Sequence, residues 1–172
     1  MKSTIFFKYA FVITFSLIIL PVRADFNAKV QRVVDGDTIY VVDNFGQEFK
    51  VRLTGIDAPE QNQPYGLASA YHLRERLLNK LVLLKSNSMN GKPYSVDRYK
   101  RVLAKVMLDG KDINLYQVLS GYAWHFKRYQ KQQSSFDREL YIEAELNAKK
   151  NELGLWGEKK PIAPWKWRKI KK

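Results

Sequence analysis

Val33-Val34-Asp35-Gly36-Asp37-Thr38-Ile39-Tyr40-Val41-Val42-Asp43-Asn44-Phe45-Gly46, running on to Phe49-Lys50-Val51-Arg52-Leu53, reads as paired strands. Thr38 to Val42 is β-branched and aromatic, which suits a pleated, half-buried surface. Asp35-Gly36 favours a tight hairpin turn in which both central positions tolerate positive φ. Asp43-Asn44-Phe45-Gly46 turns the chain again, and Phe49 to Leu53 alternates apolar and polar at period two. The spacing predicts a three-strand meander from Ala28 to Ile56, ended by Pro59 and Pro64.

Beyond the meander the period changes. Leu67, Ala70, Leu73 and Leu77 recur at helical spacing between Tyr65 and Lys80. Leu81 to Leu84 and Val102 to Val106 read as two more strands, separated by a polar loop containing Asn90-Gly91. A short helix is predicted over Ile113 to Leu119, ended by Gly121. A longer one runs from Phe136 to Lys150, capped by Ser134 or Ser135, with Phe136, Leu140, Ala144 and Ala148 on one face. Gly154 closes it and Leu155-Trp156 folds back on the core. Five strands and three helices in this order predict an α+β, mainly β fold: a five-stranded OB-type Greek-key barrel. Residues 25–158 form its single domain, and 159–172 are a basic tail rich in Trp, Pro and Lys.

The chain has 172 residues, a formal net charge of +13, no cysteine and two histidines. Thiolate metal sites and cysteine nucleophiles are excluded, and His72 and His125 lie too far apart for a local zinc motif. Lys2 and Lys8 precede an apolar run from Tyr9 to Leu20, and Pro21-Val22-Arg23-Ala24 follows. That is the layout of a secretory signal cleaved after Ala24, which predicts an exported protein, periplasmic or secreted, with no stable membrane association afterwards. An uncleaved anchor is the alternative, but the run is shorter than the ~20 residues of a usual span. The mature chain stays strongly basic, which implies a polyanionic partner without choosing among nucleic acid, anionic lipid and acidic glycan.

Val51-Arg52-Leu53-Thr54-Gly55-Ile56-Asp57-Ala58-Pro59-Glu60 is the most unusual segment. An arginine sits within an alternating strand, and two acids follow as that strand ends. If the second and third strands are neighbours, Asp37 and Asp57 converge at one end of the sheet. Two carboxylates and a backbone carbonyl make an oxygen-rich site that suits calcium or magnesium better than zinc. Asp97-Arg98-Tyr99-Lys100-Arg101 offers guanidiniums for phosphate beside an aromatic ring. Tyr122 to Lys131 interleaves Trp124, His125, Phe126 and Tyr129 with Lys127, Arg128 and Lys131, a pattern that suits single-stranded nucleic acid or, for half of it, the core. Trp165-Lys166-Trp167-Arg168-Lys169 can grip nucleic acid or membrane, or serve as a structural tail.

Asp-Gly-Asp-Thr, Val-Arg-Leu-x-Gly-Ile-Asp-Ala-Pro-Glu, Asp-Arg-Tyr-x-Arg, Asp109-Gly110 with Ile113-Asn114, and Gly154-Leu155-Trp156 occur in that order. The set, spanning Ala28 to Trp156, resembles the thermonuclease family, also called staphylococcal or micrococcal nucleases. The resemblance implies a monomeric, calcium-dependent nuclease that cuts DNA and RNA at the 5′-side P–O bond, leaving 3′-phosphates. It implies that Asp37 and Asp57 bind one calcium ion through carboxylates and Ala58 through its main-chain oxygen. Glu60 would be the general base, Arg52 and Arg101 would hold the scissile phosphate, and Tyr99 and Tyr129 would contact substrate. Three positions depart from the pattern: Ala58 stands in place of threonine, Lys100 in place of glycine before Arg101, and Lys127 in place of a second substrate-facing tyrosine. A non-catalytic nucleic-acid-binding barrel is the competing reading, but it has no need of Glu60 and the aspartate pair. A membrane-tethered basic adaptor would require the N-terminus to stay uncleaved.

Overall fold

A computed structural model describes residues 25–86 and 94–170. The expected signal segment and the Asn90-Gly91 loop lie outside the described residues. The elements in chain order are β1 (Phe26–Asp35), β2 (Thr38–Asp43), β3 (Glu48–Leu53), β4 (Ile56–Asp57), α1 (Gly66–Leu77), β5 (Leu81–Lys85), β6 (Val102–Leu108), β7 (Lys111–Asp112), α2 (Ile113–Leu119), β8 (Trp124–His125), α3 (Ser135–Lys150) and α4 (Pro164–Ile170). Short 3-10 turns occupy Lys127–Gln132 and Gly154–Gly157.

The main sheet runs β3-β2-β1-β5-β6-β7, and β3 also pairs with β6 in parallel. That last pairing closes five strands into a barrel and removes the open edges. The closed five-stranded barrel with its helices is the OB-type fold that the strand pattern predicts. Period-two alternation supplies the core: Ala28 and Val30, Ile39 and Val41, Val51 and Leu53, Val82 and Leu84, Val102, Ala104 and Val106 all point inward. Register shifts in β1 at Val30/Arg32 and Val33/Asp35 curl that strand around the barrel. Asn114, fully buried, spans the β3–β6 seam: its Oδ1 accepts from Val106 N at 3.0 Å, and its Nδ2 donates to Thr54 O at 2.9 Å and Ala104 O at 3.1 Å.

Helix α3 begins at the expected cap, with Ser134 Oγ accepting from Asp137 N at 3.0 Å. Two apolar faces differ from expectation. Helix α1 buries Gly66, Ser69, Leu73 and Leu77 and leaves Leu67 exposed, because the small residues at 66 and 69 let it sit tight against the barrel. Helix α3 buries Tyr141, Ala144, Glu145 and Ala148, and leaves Phe136, in its first turn, exposed. The tail forms a fourth helix, α4, with Ala163 and Pro164 buried against the domain. Among the described residues, no helix is long and apolar enough to cross a membrane.

Candidate active site

Asp37 lies in the turn between β1 and β2, and its neighbour Gly36 is there for space. The hairpin turn forms beside Asp35 as expected, but Gly36 does not adopt positive φ. A Cβ on Gly36 would instead meet Ser69 Oγ at 1.8 Å and Ala58 Cβ at 2.7 Å. The glycine therefore lets the Asp37 turn close onto α1 and onto the segment that carries Asp57. Asp37 O accepts from Leu53 N at 2.8 Å, and Asp37 Oδ2 accepts from Ala58 N at 2.8 Å.

Asp57 is fixed from the other side. It lies on β4, which pairs with β8 in the register Ile56↔His125 and Asp57↔Trp124. Glu145 of α3 supports β8 by accepting from His125 N at 3.1 Å. Thr38 pairs with Arg52 across β2 and β3, so the neighbouring strands bring the two aspartates to one rim. Arg52 Nη2 lies 3.0 Å from Asp37 Oδ2 and 3.1 Å from Asp57 Oδ1. The same guanidinium donates to Leu53 O at 2.6 Å and Ile56 O at 2.9 Å, which locks its orientation.

Arg101 approaches from the loop before β6. Its Nε donates to Asp97 Oδ2 at 2.8 Å, and its Nη1 reaches Thr38 Oγ1 at 3.4 Å. Thr38 Oγ1 donates in turn to Asp37 Oδ1 at 3.0 Å, so Arg101 is linked to the aspartate pair through one hydroxyl. Lys100, which stands in place of glycine, takes φ of 61°, the left-handed conformation a glycine would adopt. The departure from the family pattern therefore leaves the turn, and Arg101, in place. Glu60 follows Pro59 in a tight turn: Gln63 N donates to Glu60 O at 2.8 Å and Glu60 N to Gln63 Oε1 at 3.2 Å. Its carboxylate is part-exposed at the rim.

The tyrosines stand at the margins. Tyr99 is 63% exposed and its ring centre lies 5.5 Å from the Arg101 guanidinium. Tyr129 is also largely exposed and belongs to an aromatic group with Phe126, 5.3 Å away, which itself reaches Trp165 of α4 at 5.5 Å. Lys127 pairs with Glu145 at 3.3 Å, a structural use of that position. His72, read as an ordinary helix residue, stacks on Tyr122 and Tyr116 and pairs with Gln117.

Sequence reasoning missed Arg168. It lies on α4, and its guanidinium contacts the carboxylates of both Asp57 and Glu60. The Trp-Lys-Trp-Arg run reads from sequence as a grip or as a structural tail, and neither reading places Arg168 on these carboxylates.

Electrostatics mark this rim as a strained cluster of acids. Burial, with the nearby Asp37 charge behind it, pushes the Asp35 carboxyl up to about 7. Burial raises Asp57 as well, against the hydrogen bond from Arg168 and the charge of Arg52. Carboxylates crowded out of water in this way favour a cation between them. Among the described residues no three or more His, Cys, Asp or Glu side chains gather closely enough to hold an ion by themselves. Further donors would therefore be a main-chain carbonyl, such as that of Ala58, and water. An all-oxygen set of this kind fits a hard divalent ion.

A barrel rim that combines paired buried carboxylates, a third carboxylate at the edge and several guanidiniums defines an OB-type enzyme of phosphate esters. Residues 50–158 match the family described as Staphylococcal nuclease homologue. The chain is 38% identical over 144 residues to an uncharacterized endonuclease of Haemophilus influenzae, covering 84% of this chain and 74% of that protein. It is 34% identical over 165 residues to a micrococcal nuclease of Shigella flexneri, covering 91% and 88%. An uncharacterized endonuclease of Escherichia coli is 34% identical over 146 residues, covering 84% and 86%. The chain belongs to the staphylococcal nuclease family and is a nuclease, a hydrolase of phosphodiester bonds.

Proposed function

We propose that this nuclease is an exported, calcium-dependent monomer that hydrolyses DNA and RNA, with Glu60 as general base and Arg52 and Arg101 as phosphate clamps. The observation that carries the reading is the convergence of Asp37 and Asp57 on one Arg52 nitrogen, at 3.0 and 3.1 Å, with Glu60 three residues further along the same rim. Calcium held by Asp37, Asp57 and the Ala58 carbonyl would supply positive charge that polarises the phosphate and acidifies water. The residues of the chain do the rest. Glu60 takes a proton from water as its oxygen attacks phosphorus. The bond from phosphorus to the 5′ oxygen breaks and that oxygen takes a proton from solvent water, leaving a 3′-phosphate and a 5′-hydroxyl. Arg52 and Arg101 offset the charge gathering on the equatorial oxygens, where bidentate donors are strongest. Tyr99 and Tyr129 flank the rim as exposed stacking surfaces for bases.

Cleavage of DNA and RNA should require calcium and stop on chelation. Glu60→Gln should lower kcat by about 10²–10⁴-fold, the usual worth of a general base. Full activity in chelator, or an unchanged rate in that variant, overturns the assignment. Export is supported by the signal-like segment before Asp25, and mass spectrometry of the mature N-terminus tests it.

A further inference from the structure

The carboxylates assigned to the cation and to water activation are already bridged by a side chain that the proposed catalysis does not use. Arg168 Nη2 lies 2.7 Å from Asp57 Oδ2, and Nη1 lies 3.3 Å from Asp57 Oδ1 and 2.6 Å from Glu60 Oε1. Arg52 takes Asp57 Oδ1 as well, at 3.1 Å. Both oxygens of an Asp57 side chain that is only 2% exposed are thus engaged by guanidiniums.

Arg168 is held at this place by its whole segment. Gln63, in the Glu60 turn, donates from Nε2 to Ile162 O at 2.5 Å. Trp165 packs against Trp124 and Phe126 with ring centres 5.5 Å away in each case, and Trp124 is the residue paired with Asp57. Trp167 Nε1 donates to Asn62 Oδ1 at 3.1 Å. The helix is therefore anchored on the Glu60 turn and on the strand paired with Asp57.

A divalent cation ligated by Asp57 would have to share carboxylate oxygens that Arg168 and Arg52 now engage. It would also bring a second positive charge to a partly buried place, where repulsion is weakly screened. We propose that α4 is a latch on the cation site: Arg168 holds Asp57 and Glu60 until a divalent cation displaces it. Cation binding and latching of the helix are then one linked equilibrium, and each opposes the other by the same free energy. Latched, Glu60 Oε1 is taken by the Arg168 guanidinium at 2.6 Å and is not open to an attacking water. Released, it is free to act. The inference rests on the assignment of Asp57 as a cation ligand.

Calorimetric titration of calcium into the purified protein and its variants tests both ideas separately. Arg168→Gln should bind calcium about 5- to 150-fold more tightly, the usual span of coupling between two sites. Lys166→Gln removes the same charge from an exposed position on the same helix and controls for long-range electrostatics. Hydrogen exchange on the unmodified protein should show faster exchange across residues 164–170 when calcium is added, and needs no variant to fold. An Arg168→Gln affinity no tighter than that of Lys166→Gln, or exchange unmoved by calcium, overturns the latch. Asp57→Asn separates the premises. If it binds calcium as the parent does, the cation-ligand assignment fails and the latch with it. If it abolishes binding while Arg168→Gln changes nothing, the assignment stands and the latch alone fails.

Discussion

Gly66 sits against the main chain of Glu60, so close that a Cβ on it would come within 1.8 Å of the Glu60 carbonyl oxygen and 2.7 Å of its carbonyl carbon. The first residue of α1 thus sets the position of the proposed general base through contact rather than through φ. A neighbouring backbone cannot yield as a flexible side chain can.

Gly66→Ala should therefore shift the Glu60 turn and lower kcat on the order of 10²-fold, the cost of about 1 Å of misplacement. Gly46→Ala is the contrast. Nothing lies within 4 Å of that position, so only its positive φ is strained, at about 1 kcal/mol, and activity should persist. Steady-state kinetics on both variants, with thermal melts, distinguish the two outcomes.

Arg101 uses separate nitrogens for Asp97 and Thr38, a task that a single ammonium cannot repeat. Arg101→Lys should lower kcat/KM on the order of 10²–10³-fold, as for loss of a transition-state donor. Thr38→Val keeps the strand but removes the hydroxyl between Arg101 and Asp37. Its effect should be smaller, about 2- to 10-fold, the worth of one hydrogen bond. Near-normal turnover in Arg101→Lys would indicate that Arg98 holds the phosphate.

Glu145 supports the strand opposite Asp57 and takes Lys149 at 2.8 Å and Lys127 at 3.3 Å. Burial works to raise its carboxyl, but the lysines outweigh it and hold it below the usual range. The folded protein therefore binds this proton less readily than the unfolded chain. The stabilisation is present above about pH 4.3, and is lost as pH falls further through the folded value. Glu145→Gln should cost about 1–3 kcal/mol at neutral pH and flatten the acid limb of stability in urea titrations.

Tyr141 donates its hydroxyl to Asp112 at 3.0–3.1 Å, and Asp112 caps α2 by accepting from Leu115 N at 3.0 Å. Burial and the Asp112 charge push the phenol well above its usual value. Here the folded state keeps the proton that the unfolded chain releases. Stability should be full below about pH 10 and decline as pH rises beyond it. Tyr141→Phe should remove that alkaline dependence and lower stability at neutral pH by about 1–2 kcal/mol, as measured by urea denaturation across pH.

Much of the barrel was legible in the chain because its signals are local. Period-two alternation in Thr38–Leu53, the helical spacing before Leu77, and the serine ahead of α3 each act over a few residues, and each reports a burial direction or a cap. The Arg52-to-Glu60 segment likewise announced its acids, since a charged strand ending at a proline has few structural uses. Local pattern placed the turn at Gly36 but not the reason for its glycine, which is space rather than positive φ. It misjudged Leu67 and Phe136, since an apolar residue at a helix end need not reach the core.

Sequence alone determined the alternating segments that become the strands and the residue types gathered at the rim: aspartates, a glutamate and arginines. Tertiary structure decided who meets whom. Parallel pairing of β3 with β6, across the unlike segments at Val51 and Val102, closes the rim and presents Arg101 beside Thr38. The seven residues of α4 are too few to hold a helix unaided, and Arg168 stands 111 positions from Asp57. Only the packing of Trp165, Trp124 and Phe126 brings that guanidinium onto the site, because a contact over such separation is set by side-chain burial and not by any pattern along the chain.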